Sequence, residues 1–135
     1  MFENMTFLYV EDDPNSRRVM NVIMTRLLSV KDIIIFEDSE NFLERLTSLD
    51  HEPDIILLDI NVHPLSGFDM IRLIRQLPNH TDTPVIALTA SIMSEEVEKL
   101  RVAGFNGTIS KPLSMSAIPQ LLTQVANGES VWYIA

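Results

Sequence analysis

TFLYVEDDP, residues 6–14, sets an apolar run against three consecutive carboxylates and a proline. Thr6–Val10 is almost continuous in apolar residues rather than alternating, the pattern of a strand covered on both faces in a parallel sheet. Asp13 before Pro14 reads as a helix N-cap followed by proline at the first helical position. Val19, Ile23 and Leu27 then recur at helical spacing and predict an inward stripe. Glu11 and Asp12 are left at the junction of strand and helix, where neighbouring like charges repel.

The same unit repeats along the chain. Further strands are predicted at Asp32–Phe36, Asp54–Leu58, Pro84–Leu88 and Gly107–Ser110. Ser39 can cap a second helix running to about Leu49, with Phe42, Leu43 and Leu46 inward. A third helix starts near Gly67 and carries Phe68, Ile71 and Ile74. Ser94, with Glu95 and Glu96 in the first turn, opens a fourth, which Gly104 closes; its apolar face is thin, mainly Val97, Leu100 and Ala103. The fifth begins near Ser114 or Ser116, carries Ile118, Leu121, Leu122 and Val125, and stops at Gly128. Strands alternating with helices predict an α/β fold, a doubly wound, five-stranded parallel sheet of order 2-1-3-4-5 with right-handed crossovers. Residues 1–128 form one domain in this reading, and the tail ESVWYIA (129–135) lies outside the pattern.

Bulk composition limits the function classes. At 135 residues and 46% apolar, the chain can bury one core. A net charge of −9 disfavours nucleic acid or an anionic membrane as a direct partner. Without cysteine, disulfides and thiolate metal sites are excluded. Glu3, Glu11, Asp12 and Asp13 break any signal-peptide run, and no apolar stretch approaches the ~20 residues of a membrane span. A cytoplasmic protein is expected.

Ligands of such sheets bind beyond the carboxyl ends of the strands. The residues there are Glu11 and Asp12, Asp59 (in ILLDIN), Thr89 (in IALTA) and Lys111 (in ISKP). With adjacent strands ~4.8 Å apart, all five side chains can converge on one hollow. Three facing acids raise at least one pKa, and a hard divalent cation relieves the repulsion. Mg2+ favours one or two carboxylates, waters and a phosphate. Glu11, Asp12 and Asp59 suit it, while Asp13 is assigned to capping. Lys111 can pair with Asp59 or Asp12, or bind an anionic phosphate oxygen. Thr89 can donate its hydroxyl to the same group. The set suits phosphoryl transfer onto a carboxylate, with Asp59 as nucleophile.

VEDDP, LLDIN followed eight residues after its Asp by Gly67, LTAS, and SKPL together resemble the receiver domain of two-component response regulators, from about Thr6 to Asn127. The resemblance implies a flavodoxin-like (βα)5 fold, and Asp59 as acceptor of a phosphoryl group from a histidine kinase or a histidine phosphotransfer protein. It implies Mg2+, with Mn2+ as a substitute, held by Asp12 directly, Glu11 through water, Asp59, and the backbone carbonyl of Asn61. Thr89 and Lys111 then bind the phosphoryl oxygens, and the Lys111–Pro112 bond is cis. Asn61 and Ser91 border the path of the hydrolytic water. Output is expected through a two-state shift of the surface made by helix 4, strand 5 and helix 5, read by an unidentified protein; a homodimer is a further candidate. With about eight residues after helix 5, a stand-alone receiver is expected, a signalling phosphoacceptor rather than an enzyme.

Two positions depart from the family pattern. His63 stands where proline is usual, four residues after Asp59, and proline follows at Pro64. His63 reads as a solvated loop residue. Thr108 stands three residues before Lys111, where Tyr or Phe is usual, so the aromatic half of the customary coupling is missing. Phe105 is assigned to packing after helix 4, with substitution for that ring as the alternative. Competing readings are a Mg2+-dependent phosphohydrolase, a flavin-binding domain and a pseudo-receiver. The first wants its nucleophile after the first strand, the second a Ser/Thr/Gly-rich phosphate loop there in place of EDD, and the third lacks part of the Glu11, Asp12, Asp59, Thr89, Lys111 set. Trp132, Tyr133 and Ile134 either fold back on the domain, make a partner or dimer contact, or begin a linker.

Overall fold

All the predicted apolar runs form parallel strands, and the computed structural model describes them within residues 1–90 and 94–133. The elements are β1 (Thr6–Val10), α1 (Pro14–Val22), β2 (Asp32–Phe36), α2 (Phe42–Thr47), β3 (Ile55–Asp59), α3 (Gly67–Gln76), β4 (Val85–Thr89), α4 (Ser94–Ala103), β5 (Gly107–Ser110), α5 (Ile118–Ala126) and β6 (Val131–Tyr133). Their order in the sheet is β2-β1-β3-β4-β5-β6. The expected 2-1-3-4-5 core is present, but among the described residues the sheet has six strands rather than five. The added β6 pairs parallel to β5, with Thr108 opposite Trp132.

Gly107 makes that pairing feasible. A Cβ there would lie 2.0 Å from the Val131 carbonyl oxygen, so only glycine admits the close approach of the two backbones.

Each face of the sheet is covered, as non-alternating strands require. Phe7, Tyr9, Leu57 and Leu88 pack with Met20, Ile23 and Met24 and with Ile118, Leu122 and Val125 of α5. On the other face Leu8, Val10, Leu58 and Ala87 meet Phe42 and Leu46 of α2, Met70, Ile71 and Ile74 of α3, and Leu100. Among the described residues, no helix is long and apolar enough to cross a membrane.

Helix α1 is capped as predicted: Asp13 accepts from the Ser16 amide, and Pro14 is the first helical residue. Its inward stripe differs. After Val22 the backbone widens into a π turn at Ile23–Leu27, which advances the phase and turns Leu27 outward, 52% exposed, while Met20, Ile23 and Met24 are buried.

Helix α2 also differs from expectation. It begins at Phe42 behind Asn41, which sits at φ +49°, and ends at Thr47; Leu43 is 37% exposed. Ser39 does not cap it. Its hydroxyl donates to the Leu65 carbonyl and accepts from the Leu65 amide, both at 2.7 Å, tying β2–α2 to the loop after β3. Ser66 caps α3 in a reciprocal box with Asp69. Gly104 closes α4 at φ +107°. Arg75 of α3 donates to the carbonyls of His80, Thr83 and Gly104 and to the Asn106 side chain, joining the α3–β4 and α4–β5 loops at the far end of the sheet.

Candidate functional site

At the carboxyl edge, Asp59 and Thr89 are the last residues of β3 and β4, and Glu11 and Lys111 directly follow β1 and β5. Parallel register brings these ends level, with Asp59 opposite Leu88 and Thr89 opposite Ser110. Carboxylate oxygens of Glu11, Asp12 and Asp59 lie within 4.8 Å of one another. Asp12 is exposed, whereas Glu11 is fully buried and Asp59 is 5% exposed. Three oxygen donors so placed fit a hard divalent cation and leave room for water on the Asp12 side.

Glu11 makes the densest contacts of the set. Its Oε1 accepts from the Tyr9 hydroxyl at 2.9 Å and pairs with Lys111 Nζ at 2.7 Å, and its Oε2 accepts from the Asp13 amide at 3.3 Å. Burial, and then the adjoining Asp59 carboxyl, push the Glu11 carboxyl up to about 7. Desolvation pulls the Lys111 ammonium down, but Glu11 and Asp59 outweigh it and leave it above its ordinary range. Lys111 therefore pairs with Glu11 and, at 3.4 Å, with Asp59 Oδ2, not with Asp12 as one expectation had it.

From sequence Tyr9 reads only as a strand residue. It belongs to the site because alternate strand residues share a face, which places its phenol beside Glu11. A tyrosine two residues before an acid at a buried strand end was the available signal. Burial and the Glu11 carboxyl push its hydroxyl far above the ordinary phenol range.

The loop after β3 is held on several sides. The Asn61 amide donates to Asp59 Oδ1 at 3.2 Å. The Gly67 amide donates to the Ile60 carbonyl, and a Cβ on Gly67 would come within 3.0 Å of the Ile60 Cα. The His63 carbonyl accepts from the Ser39 amide, and the His63 residue is exposed, as expected. The Lys111–Pro112 bond is cis, as is His63–Pro64. Between this loop and α4 lies a cavity of about 240 Å³, lined by Asn61, Thr89, Phe68, Glu96, Lys99 and Leu100. Phe105 packs edge-on against Phe68 at 6.1 Å, in the packing role expected of it. Thr108 is fully buried and donates its hydroxyl to the Ala87 carbonyl. Ser91 and Ile134 lie outside the described residues.

A family model described as the response regulator receiver domain matches residues 7–123. The chain is 29% identical over 127 residues to the signal transduction histidine-protein kinase BarA of Escherichia coli K12; this covers 94% of the chain but 13% of that kinase. It is 30% identical over 121 residues to an uncharacterized 14.6 kDa protein of Leptolyngbya boryana, covering 89% of this chain and 88% of that one. Among solved structures, the receiver domain of the Pseudomonas aeruginosa sensor histidine kinase PA1611 is 25% identical with a TM-score of 0.76, covering 93% of this chain and 99% of that one, and holds a magnesium ion in its active site cleft.

Proposed function

The chain belongs to the response regulator receiver domain family, and from that premise we propose that Asp59 is the phosphoacceptor, charged by a phosphohistidine on a histidine kinase or histidine phosphotransfer protein. Asp59 Oδ attacks phosphorus; the P–N bond breaks, and its electron pair returns to the protonated imidazole, which leaves neutral. The product is an aspartyl phosphate, and the chain acts as a signalling acceptor, not as a turnover enzyme. The observation that carries the reading is the meeting of Glu11, Asp12 and Asp59 within 4.8 Å beside the Lys111 ammonium.

Each neighbour has a task in this reading. Lys111, already 3.4 Å from Asp59 Oδ2, swings its ammonium onto a phosphoryl oxygen. Thr89, at the end of β4, donates its hydroxyl to another. Glu11, Asp12, Asp59 and the Asn61 carbonyl are the groups to hold Mg2+, or Mn2+ in its place. The ion, when bound, neutralises charge on the phosphoryl group. Tyr9 keeps Glu11 oriented. The reaction belongs to the cytoplasm in this reading, and residues 1–128 carry it. Output passes to a protein partner through a shift of the α4 side of the sheet, where β6 now covers the edge that β5 was expected to present.

Incubation with acetyl phosphate and Mg2+, read by intact mass, tests this. The wild type gains one phosphoryl group and Asp59→Asn gains none. Equal labelling of the two removes Asp59 from the role.

A further inference from the structure

Receiver output requires an element that feels the phosphoryl charge and a contact that changes when it moves. Thr108 is a poor candidate for the second, being fully buried with its hydroxyl fixed on the Ala87 carbonyl. Helix α4 supplies the first. Glu96 and Lys99, one turn apart, line the same 240 Å³ cavity as Asn61 and Thr89. A dianionic group arriving beside that cavity repels Glu96 and draws Lys99, and opposite forces one turn apart tilt a helix.

Two residues past Lys99, the Arg101 guanidinium stacks over the Trp132 ring, 4.6 Å from its centroid. Trp132 lies on β6, half-buried against the α4 face of the sheet and opposite Thr108. Among the described side chains of this helix the apolar anchoring is thin: Leu100 is buried, and Val97 and Ala103 are half-buried. The sixth strand therefore clamps α4 from outside, at the end of the helix away from the site.

We propose that Trp132 is the reporting residue: phosphorylation of Asp59 tilts α4 through Glu96 and Lys99 and releases the Arg101–Trp132 stack, turning the α4–β6 face into the surface that a partner reads. This rests on the phosphoacceptor reading above. The strand added at the sheet edge supplies the aromatic side chain that β5 lacks.

Trp132 is the one tryptophan of the chain, so its emission reports a single place. The full chain is treated with acetyl phosphate and Mg2+, and intact mass and tryptophan emission are read on the same sample. A red shift that rises with the mass gain, is absent in Asp59→Asn, and is reduced in Glu96→Gln at unchanged mass gain is expected. A mass gain without a red shift overturns the coupling while leaving the phosphoacceptor intact. A full shift in Glu96→Gln overturns the route through α4. No mass gain overturns the phosphoacceptor reading and the coupling together.

Discussion

Glu11 meets a phenol on one oxygen, an ammonium at 2.7 Å on the same oxygen, and the Asp59 carboxyl beside it. Its carboxyl stands at about 7 instead of its usual 4.5, chiefly because it is buried. A raised folded value means that the native state favours the protonated acid. Its stabilising contribution is full below the unfolded value near 4.5 and is lost as pH rises through about 7. Without divalent cation, urea denaturation should show the wild type losing stability between about pH 5 and about pH 8, and Glu11→Gln losing much less. Asp13, held low by Ser16, stays ionised across that window and does not contribute. Metal binding needs the ionised form, so Mg2+ affinity should fall up to about tenfold per pH unit below about 7. A pH-independent Mg2+ affinity in calorimetric titration contradicts the assignment of Glu11.

The elements show how far local pattern reaches. Continuous apolar runs identify β1 to β4, because strands buried on both faces must be apolar on both, while β5 (GTIS) rests on its place in the alternation. The site followed from them, since any polar residue just after such a run sits at the ligand edge; Glu11, Asp12, Asp59, Thr89 and Lys111 were legible for that reason. Leu27 was misassigned because a π turn changes the phase without any mark in residue spacing. Ser39 reads as a cap because its preference for capping is local, while its partner in the structure, Leu65, is remote in the chain. Strand β6 escaped because three residues carry no periodicity. Its trace lies elsewhere, in Gly107, whose missing side chain leaves room for Val131. Gly107→Val should push the two strands apart, costing about 1–3 kcal/mol in urea denaturation and exposing Trp132. Unchanged stability and emission refute that role for the glycine.

At the scale of the molecule, one sheet separates two cores. Helix α1 and α5 share one, and α2, α3 and α4 the other. The acidic cluster sits at the strand ends between them, with the site residues placed by strand register and α4 flanking it on one side. The chain carries a surplus of acids, a net charge of −9, which disfavours association with anionic polymers.

The parallel pairing of Val131–Tyr133 along β5 also covers backbone groups at that edge of the sheet. A bare β5 would offer unsatisfied amides and carbonyls to the rim of a neighbouring molecule, the usual first step of strand-to-strand sticking. A three-residue selvedge offers far less. Chain ending at Gly128 should therefore self-associate as concentration rises, whereas the longer chain should not. Light scattering of both across a dilution series decides, and identical masses throughout would remove the protective role from β6.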